Sequence, residues 1–178
     1  MPSTADDPQP IRVGVAAGGL LPYAVDSTVT ILRANGSMFT WTSPTRVVAL
    51  AAQDNRVAVA QEGSRVTVLD ARGNVISVDL YESEVSAVAF TGKGLLVQRG
   101  DMLELRHEAD AHTYTTAADA TLDDAGGKWA AWSDGKLVHV IRLPDGAATT
   151  TAPGSSAALA GNRLYVANAR NITVRTIR

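Results

Sequence analysis

Residues 46–80 read RVVALAAQDNRVAVAQEGSRVTVLDARGNVISVDL, and this stretch decides the fold. It holds four short runs in which valine, isoleucine, leucine and alanine alternate roughly with polar residues, as in half-buried strands. Turn-forming residues such as Arg72-Gly73 separate the runs, and no window shows a sustained helical period. The stretch therefore predicts four antiparallel strands: RVVALAAQ, RVAVAQEG, RVTVLDARG and NVISVDL.

The same arrangement recurs along the chain. An apolar pair two residues apart opens the third run of each unit, and successive pairs begin 37, 37, 35 and 34 residues apart. A second apolar series begins the preceding run and keeps nearly the same offset. Two series in phase predict five copies of one supersecondary unit. The pairs are Val29/Ile31, Val66/Val68, Leu103/Leu105, Val138/Val140 and Ile172/Val174, and the second series is Leu20, Val57, Leu95, Trp129 and Leu164.

Four-stranded units with a period just under forty residues are typical of β-propeller blades. One such sheet cannot cover its own apolar faces, so blades must stack against each other. We therefore predict an all-β protein, either a β-propeller or a propeller segment, over residues 11–178. A β-sandwich is the alternative, but it does not need a fixed period. The predicted blades span about 11–45, 46–83, 84–119, 120–154 and 155–178.

Two stretches resemble known propeller repeats. LYVANARNITVRTI at 164–177 is similar to the strand–turn–strand pattern of YVTN-type repeats, and VTVLDARGNVISV at 66–78 resembles a stretch common to WD40-type and YVTN-type repeats. No repeat carries the Gly-His pair or the Trp-Asp dipeptide of WD40 blades. The resemblance runs from about residue 11 to the end, and it implies a propeller architecture, which serves binding, scaffolding and catalysis alike.

The fifth unit stops after its third run. The tail at residues 1–10, MPSTADDPQP, is a candidate closing strand, although its three prolines suit only an edge. Alternatively, the chain is the C-terminal part of a longer propeller, or the open edge pairs with another copy or another protein. Blades this short are more usual in rings of six to eight, which favours the last two alternatives. The edge residues would be Asn171, Thr173, Arg175 and Arg178.

Composition limits the function classes. The net charge of -2 argues against nucleic-acid binding, and the chain has no cysteine for disulfides or thiolate metal sites. The first ten residues do not form a signal peptide, and no apolar run is long enough to span a membrane. Frequent alanine and only three lysines suggest a GC-rich bacterial source. We expect a soluble protein, cytoplasmic if this chain is full-length, with export left open if it is part of a longer one.

Two polar groups are candidate ligand sites. His107, Asp110 and His112, together with Glu108, offer nitrogen and oxygen ligands for a zinc-like metal. The alternative is a polar hairpin between the last two strands of the third unit. Asp123 and Asp124 could perform acid–base work or hold calcium, or simply solvate a turn. Strand alternation predicts that these two carboxylates point to opposite faces of the sheet.

Two tryptophans, Trp41 and Trp132, are candidates for an exposed platform that stacks on sugars or anchors a partner, with core packing as the alternative. The chain has no nucleophile elbow, phosphate loop, Rossmann fingerprint or His-Glu-x-x-His motif. We therefore expect no cofactor and favour a non-enzymatic module that binds a protein, or a second copy, through rim loops or the open edge. The alternative is a glycan-binding, metal-binding or hydrolytic site that uses Asp54, Asp123 and Asp124 in a central funnel.

Overall fold

The computed structural model describes residues 11–107 and 110–178, without the side chains of residues 148 and 149. Within these residues the chain forms nineteen strands and no helix, so it has no helix there that could cross a membrane. The candidate closing strand at residues 1–10 and Glu108 lie outside the described residues. The first eight strands are β1 (Ile11–Val13), β2 (Leu20–Val25), β3 (Thr28–Arg33), β4 (Met38–Thr42), β5 (Val47–Gln53), β6 (Arg56–Gln61), β7 (Arg65–Asp70) and β8 (Val75–Leu80).

The remaining strands follow the same plan. They are β9 (Ala87–Thr91), β10 (Gly94–Arg99), β11 (Met102–His107), β12 (Asp110–Thr115), β13 (Thr121–Gly126), β14 (Trp129–Ser133), β15 (Leu137–Arg142), β16 (Ala148–Pro153), β17 (Ser156–Ala160), β18 (Arg163–Ala167) and β19 (Ile172–Thr176).

Each strand pairs with its sequence neighbour, and the result is five antiparallel sheets. Sheets one to four contain β1–β4, β5–β8, β9–β12 and β13–β16, and the described residues of sheet five form three strands, β17–β19. The predicted all-β class is confirmed, and among residues 11–107 and 110–178 the last unit has no outer strand, as predicted.

The chain divides into two compact units, one ending at Glu82 and the other beginning at Ser83. Sheets one and two form the first unit. Their facing surfaces bury Leu20, Val29 and Ile31 against Val57 and Leu69. A parallel bridge joins Val15, two residues after the end of β1, to Ala51 of β5.

Sheets three, four and five form the second unit, which has two apolar layers. Leu103 and Leu105 of sheet three pack with Trp132 of sheet four. On its opposite face, sheet four packs Val138 and Val140 against sheet five, where Leu164 and Val166 cover them. The first strands of the three sheets lie side by side. This arrangement brings the polar residues of β13 next to the backbone of β17.

Buried side-chain hydrogen bonds also connect the sheets. Gln98 of sheet three is 3% exposed, and its amide nitrogen donates to the carbonyl of Ala120 at the start of sheet four. Its amide oxygen accepts from the Leu122 backbone N–H at 2.7 Å. In the first unit, Gln61 instead bonds to two hydroxyl groups, those of Ser43 and Thr67.

Of the two apolar series in the sequence, one occupies the same structural position in every sheet and the other does not. The series of pairs is confirmed as one structural position in the third strand of every sheet. The second series is wrong as a single position, because Leu20 and Trp129 face the following sheet while Val57 and Leu164 face the preceding one. A difference of one residue in where the strand begins turns a side chain to the opposite face.

Candidate functional site

The outer edge of sheet five is the first candidate site, because within the part of the chain that the structure describes β19 pairs with β18 alone. The Ile177 N–H donates to the Asn162 carbonyl at 2.8 Å, and the Asn168 N–H donates to the Asn171 carbonyl at 3.0 Å. Because inward and outward backbone groups alternate along an antiparallel strand, those of residues 172, 174 and 176 point away from β18. All five residues of β19 are exposed.

The four predicted edge residues take different positions. Thr173 and Arg175 lie opposite Val166 and Leu164 in the register, so their side chains share the face that covers sheet four. Asn171 belongs to the turn before the strand, and Arg178 follows it; both are exposed. The outward backbone groups therefore come from the residues between the predicted ones.

The carboxylates of Asp123 and Asp124 both reach the neighbouring strand β17. Asp124 Oδ2 accepts from the Leu159 N–H at 2.7 Å, and Asp123 accepts from the Ala157 backbone N–H. The expectation of opposite faces is wrong, because β13 has a bulge between Leu122 and Asp124 that leaves Asp123 without a register partner. A bulge changes the direction of a side chain relative to strand alternation.

Burial is the largest influence on the pKa values of both carboxyl groups. It raises the pKa of Asp123 to about 6, against the opposing hydrogen bonds from Ser133 and Ala157. Asp123 Oδ2 is buried and accepts no hydrogen bond. Burial also raises the pKa of Asp124, although the backbone N–H groups of Leu159 and Ala125 oppose the shift. Burial therefore favours the protonated form of both carboxyl groups.

Ser133 connects Asp123 to sheet five. Its Oγ lies 3.2 Å from Asp123 Oδ1 and 3.0 Å from the Ser155 carbonyl oxygen. A hydroxyl has one proton, so it donates to only one of these acceptors at a time. When Asp123 is protonated, its O–H can donate to Ser133, whose own proton then goes to Ser155. This arrangement suits the neutral carboxyl.

The two tryptophans offer little open ring surface. Trp132 is 7% exposed and packs in the layer between sheets three and four. The ring of His139 stacks on it, with centroids 5.5 Å apart and planes at 12°. The protein's own imidazole thus occupies the stacking position expected for a ligand. Trp41 is half-buried and packs against the core of the first unit.

His107, Asp110 and His112 share one wall of a pocket of about 320 Å³. His107 lies directly opposite Asp110 in the β11–β12 register, and His112 lies opposite Leu105, so the three side chains are on one face. Lys93 and Pro144 line the same pocket. Across the described residues, however, no three His, Asp or Glu side chains are arranged to hold one metal ion.

An ion triad of Arg99, Glu104 and Arg106 lies on β10 and β11 and was not predicted from the sequence. Glu104 Oε2 lies 2.5 Å from Arg99 Nη2, and Glu104 Oε1 lies 2.5 Å from Arg106 Nε. The side chains of Arg99 and Glu104 are almost fully buried. One sequence feature could have indicated the triad: the charged residue Glu104 lies between Leu103 and Leu105, the two apolar members of a series pair. Arg99 also lines a groove of about 690 Å³ with Glu84, Asp101 and Asp119.

Solved structures resemble this chain along almost all of its length. Hsv2 from Kluyveromyces lactis has a TM-score of 0.69 and 12% identity, and the match covers 94% of this chain and 60% of Hsv2. Raptor from Chaetomium thermophilum has a TM-score of 0.71 and 15% identity, over 96% of this chain and 19% of Raptor. Both contain propellers of the WD40 type. The chain has a β-propeller fold.

A third structure, a protein of unknown function from Bacteroides caccae, has a TM-score of 0.63 and 12% identity, over 88% of this chain and 69% of that protein. This chain therefore spans about 60% of Hsv2 and one fifth of Raptor. No family model and no curated protein matches the sequence. At these identities the likeness extends to the fold alone.

Proposed function

We propose that this propeller is a non-enzymatic scaffold that binds a protein partner, through the β19 edge or through its rim loops. In this proposal its units are divergent repeats of the WD40-like and YVTN-like type, with blades at 11–45, 46–83, 84–119, 120–154 and 155–178. The partner supplies an extended strand that pairs with β19 as the fourth strand of sheet five.

The observation that carries the proposal is the exposed backbone of β19. Residues 172, 174 and 176 direct their N–H and C=O groups away from β18, and the whole strand is exposed. Such a row of backbone groups is a template for β-strand addition, in which main-chain hydrogen bonds supply affinity. The other sheets carry a fourth strand at this position.

The test is Thr176→Pro, which removes one outward N–H and leaves the bonds between β18 and β19 in place. A partner captured by the chain is purified and titrated against both forms. We expect Thr176→Pro to weaken binding at least tenfold. Thr42→Pro, at the end of the outer strand of sheet one, is the control and should bind as the parent does.

Equal binding by Thr176→Pro and the parent would rule out strand addition at β19. If alanine substitutions in the turns Arg72–Asn74 and Asp134–Lys136 then also left binding unchanged, the rim loops would be excluded too, and the proposal would fail.

A second candidate function is small-ligand binding, for example of a glycan, at the β13 carboxylates. It is favoured by the Asp123 Oδ2 atom, which is buried without a hydrogen-bond partner. A ligand hydroxyl or a calcium ion at this oxygen would stabilise the native state and raise the melting temperature. The test is a thermal-shift panel of sugars and divalent ions on the parent and on Asp123→Asn. No shift across the panel would exclude this candidate.

A further inference from the structure

The last member of the series of apolar pairs is exposed, unlike the other four. In sheets one to four, every member of the pairs is at most 8% exposed. In sheet five, Ile172 is 69% exposed and Val174 is 55% exposed. The last sheet therefore presents, uncovered, the same position that is buried in every other sheet.

Sheet four shows what covers this position inside the protein. Val138 and Val140 pack against Leu164 and Val166, which lie on the face of sheet five that looks toward sheet four. On the opposite face of sheet five, Tyr165 pairs with Val174 and Ala158 pairs with Tyr165, so the three side chains form a row. We call this row, with Ile172, the trailing face. No described residue forms over it the covering layer that its counterpart in sheet four has.

A matching uncovered face lies on sheet one. Ile11 and Val13 are 64% and 66% exposed, and the register pairs them with Val25 and Tyr23. These side chains lie on one face of sheet one, and Ala24 and Val29 lie on the other face, which packs toward sheet two. We call this face of sheet one the leading face. It corresponds to the face of sheet five that covers sheet four.

We propose that the trailing face of one copy docks on the leading face of a second copy, as sheet four docks on sheet five within the chain. Each chain carries both halves of the contact, so the association is head-to-tail and continues into rings or open chains of copies. Apolar burial drives it, because large exposed apolar side chains become covered. It is independent of strand addition at β19, which uses backbone groups at the edge and not side chains on the face.

The test combines light scattering of the full chain over a concentration series with substitutions on each face. We expect the mass to rise above 18.6 kDa with concentration. Val174→Asp on the trailing face and Val13→Asp on the leading face should each hold the mass at that of one chain. Both side chains are exposed, so neither change should unfold the protein, and circular dichroism checks this. Ile76→Asp, at a residue of 55% exposure on β8, is the matched control and should associate as the parent does.

Mixing the two variants provides the decisive result. A chain with Val174→Asp keeps an intact leading face, and a chain with Val13→Asp keeps an intact trailing face. An equimolar mixture should therefore form a dimer of twice the single-chain mass. A parent that stays monomeric at every concentration would overturn the proposal. So would a mixture that stays monomeric, or a mass that responds to only one of the two substitutions, since a different occupant would then cover that face.

Discussion

Asp123 shows how a single carboxyl group can make stability depend on pH. Burial raises its pKa from an ordinary value of 3.8 to about 6. The folded protein therefore holds this proton more tightly than the unfolded chain does. The resulting contribution to stability is complete below about pH 4 and is lost as the pH rises through 6.

We predict that Asp123→Asn stabilises the protein above pH 6, because the amide carries no charge to desolvate. Asp123 is only half-buried, so solvent screening reduces the gain to about 1 kcal/mol, or a few degrees in melting temperature. Melting curves of both proteins from pH 4 to pH 8 should diverge as the pH rises. Asp119→Asn, at an exposed position, is the control. A gain in stability that is the same at every pH would contradict the raised pKa of Asp123.

Glu104 tests the buried ion triad. Its carboxylate lies between Arg99 and Arg106, and Glu104→Gln removes the negative charge from this buried group. We predict a loss of about 3 kcal/mol in the free energy of unfolding, measured with urea, because a buried charge that loses its counter-charge is costly. Glu62→Gln breaks the exposed pair with Arg46 and should cost less than about 0.5 kcal/mol. If Glu104→Gln and Glu62→Gln lowered the free energy of unfolding equally, the triad would contribute no more to stability than an exposed ion pair.

The directions of individual side chains were harder to predict from the sequence than the strands. Alternation along β13 predicted opposite faces for Asp123 and Asp124, but a bulge has no clear sequence signal and both reach β17. Trp132 was a candidate platform, yet its cross-strand neighbour His139 stacks on it. That pairing depends on register, which the composition of β14 and β15 does not specify.

Gln98 links two neighbouring sheets, because its side chain makes two buried hydrogen bonds from sheet three to the backbone at the start of sheet four. We predict that Gln98→Ala lowers the free energy of unfolding by about 2 to 4 kcal/mol, because the Ala120 carbonyl and the Leu122 N–H lose their buried partner. Urea unfolding measures the loss. Gln61→Ala is the comparison and should cost less. Ser43 Oγ accepts from Gln61 Nε2 but also accepts from the Thr45 N–H, and the Thr67 hydroxyl, which donates to Gln61 Oε1, can rotate. A larger loss for Gln61→Ala would contradict this account.

The strands themselves were largely predictable. Short alternating runs between Gly-containing turns locate hairpins, and the pairs in the third strands stayed on one face through all five sheets. The series that begins the second strands did not stay on one face, because Leu20 and Trp129 differ by one residue in register from Val57 and Leu164. A period of two makes such a slip a complete change of face.

For the whole molecule, the repeat predicted the propeller because a fixed period requires stacked, equivalent sheets. The same repeat predicted that the last sheet would lack a strand. The exposed trailing and leading faces were not predicted, because the apolar character of Ile172 and Val174 is the same whether or not a further layer covers them. Whether such a face is covered depends on the position of the neighbouring sheets, which the residues of the face itself do not encode.

Among the described residues, β19 is the open outer edge of the last sheet. Residue-resolved hydrogen exchange by NMR tests it most directly. We predict slow exchange for the amides of residues 173, 175 and 177, which point toward β18, and fast exchange for those of residues 172, 174 and 176. Slow exchange at all six amides in the isolated chain would contradict the claim, because it would show that another strand already pairs with β19.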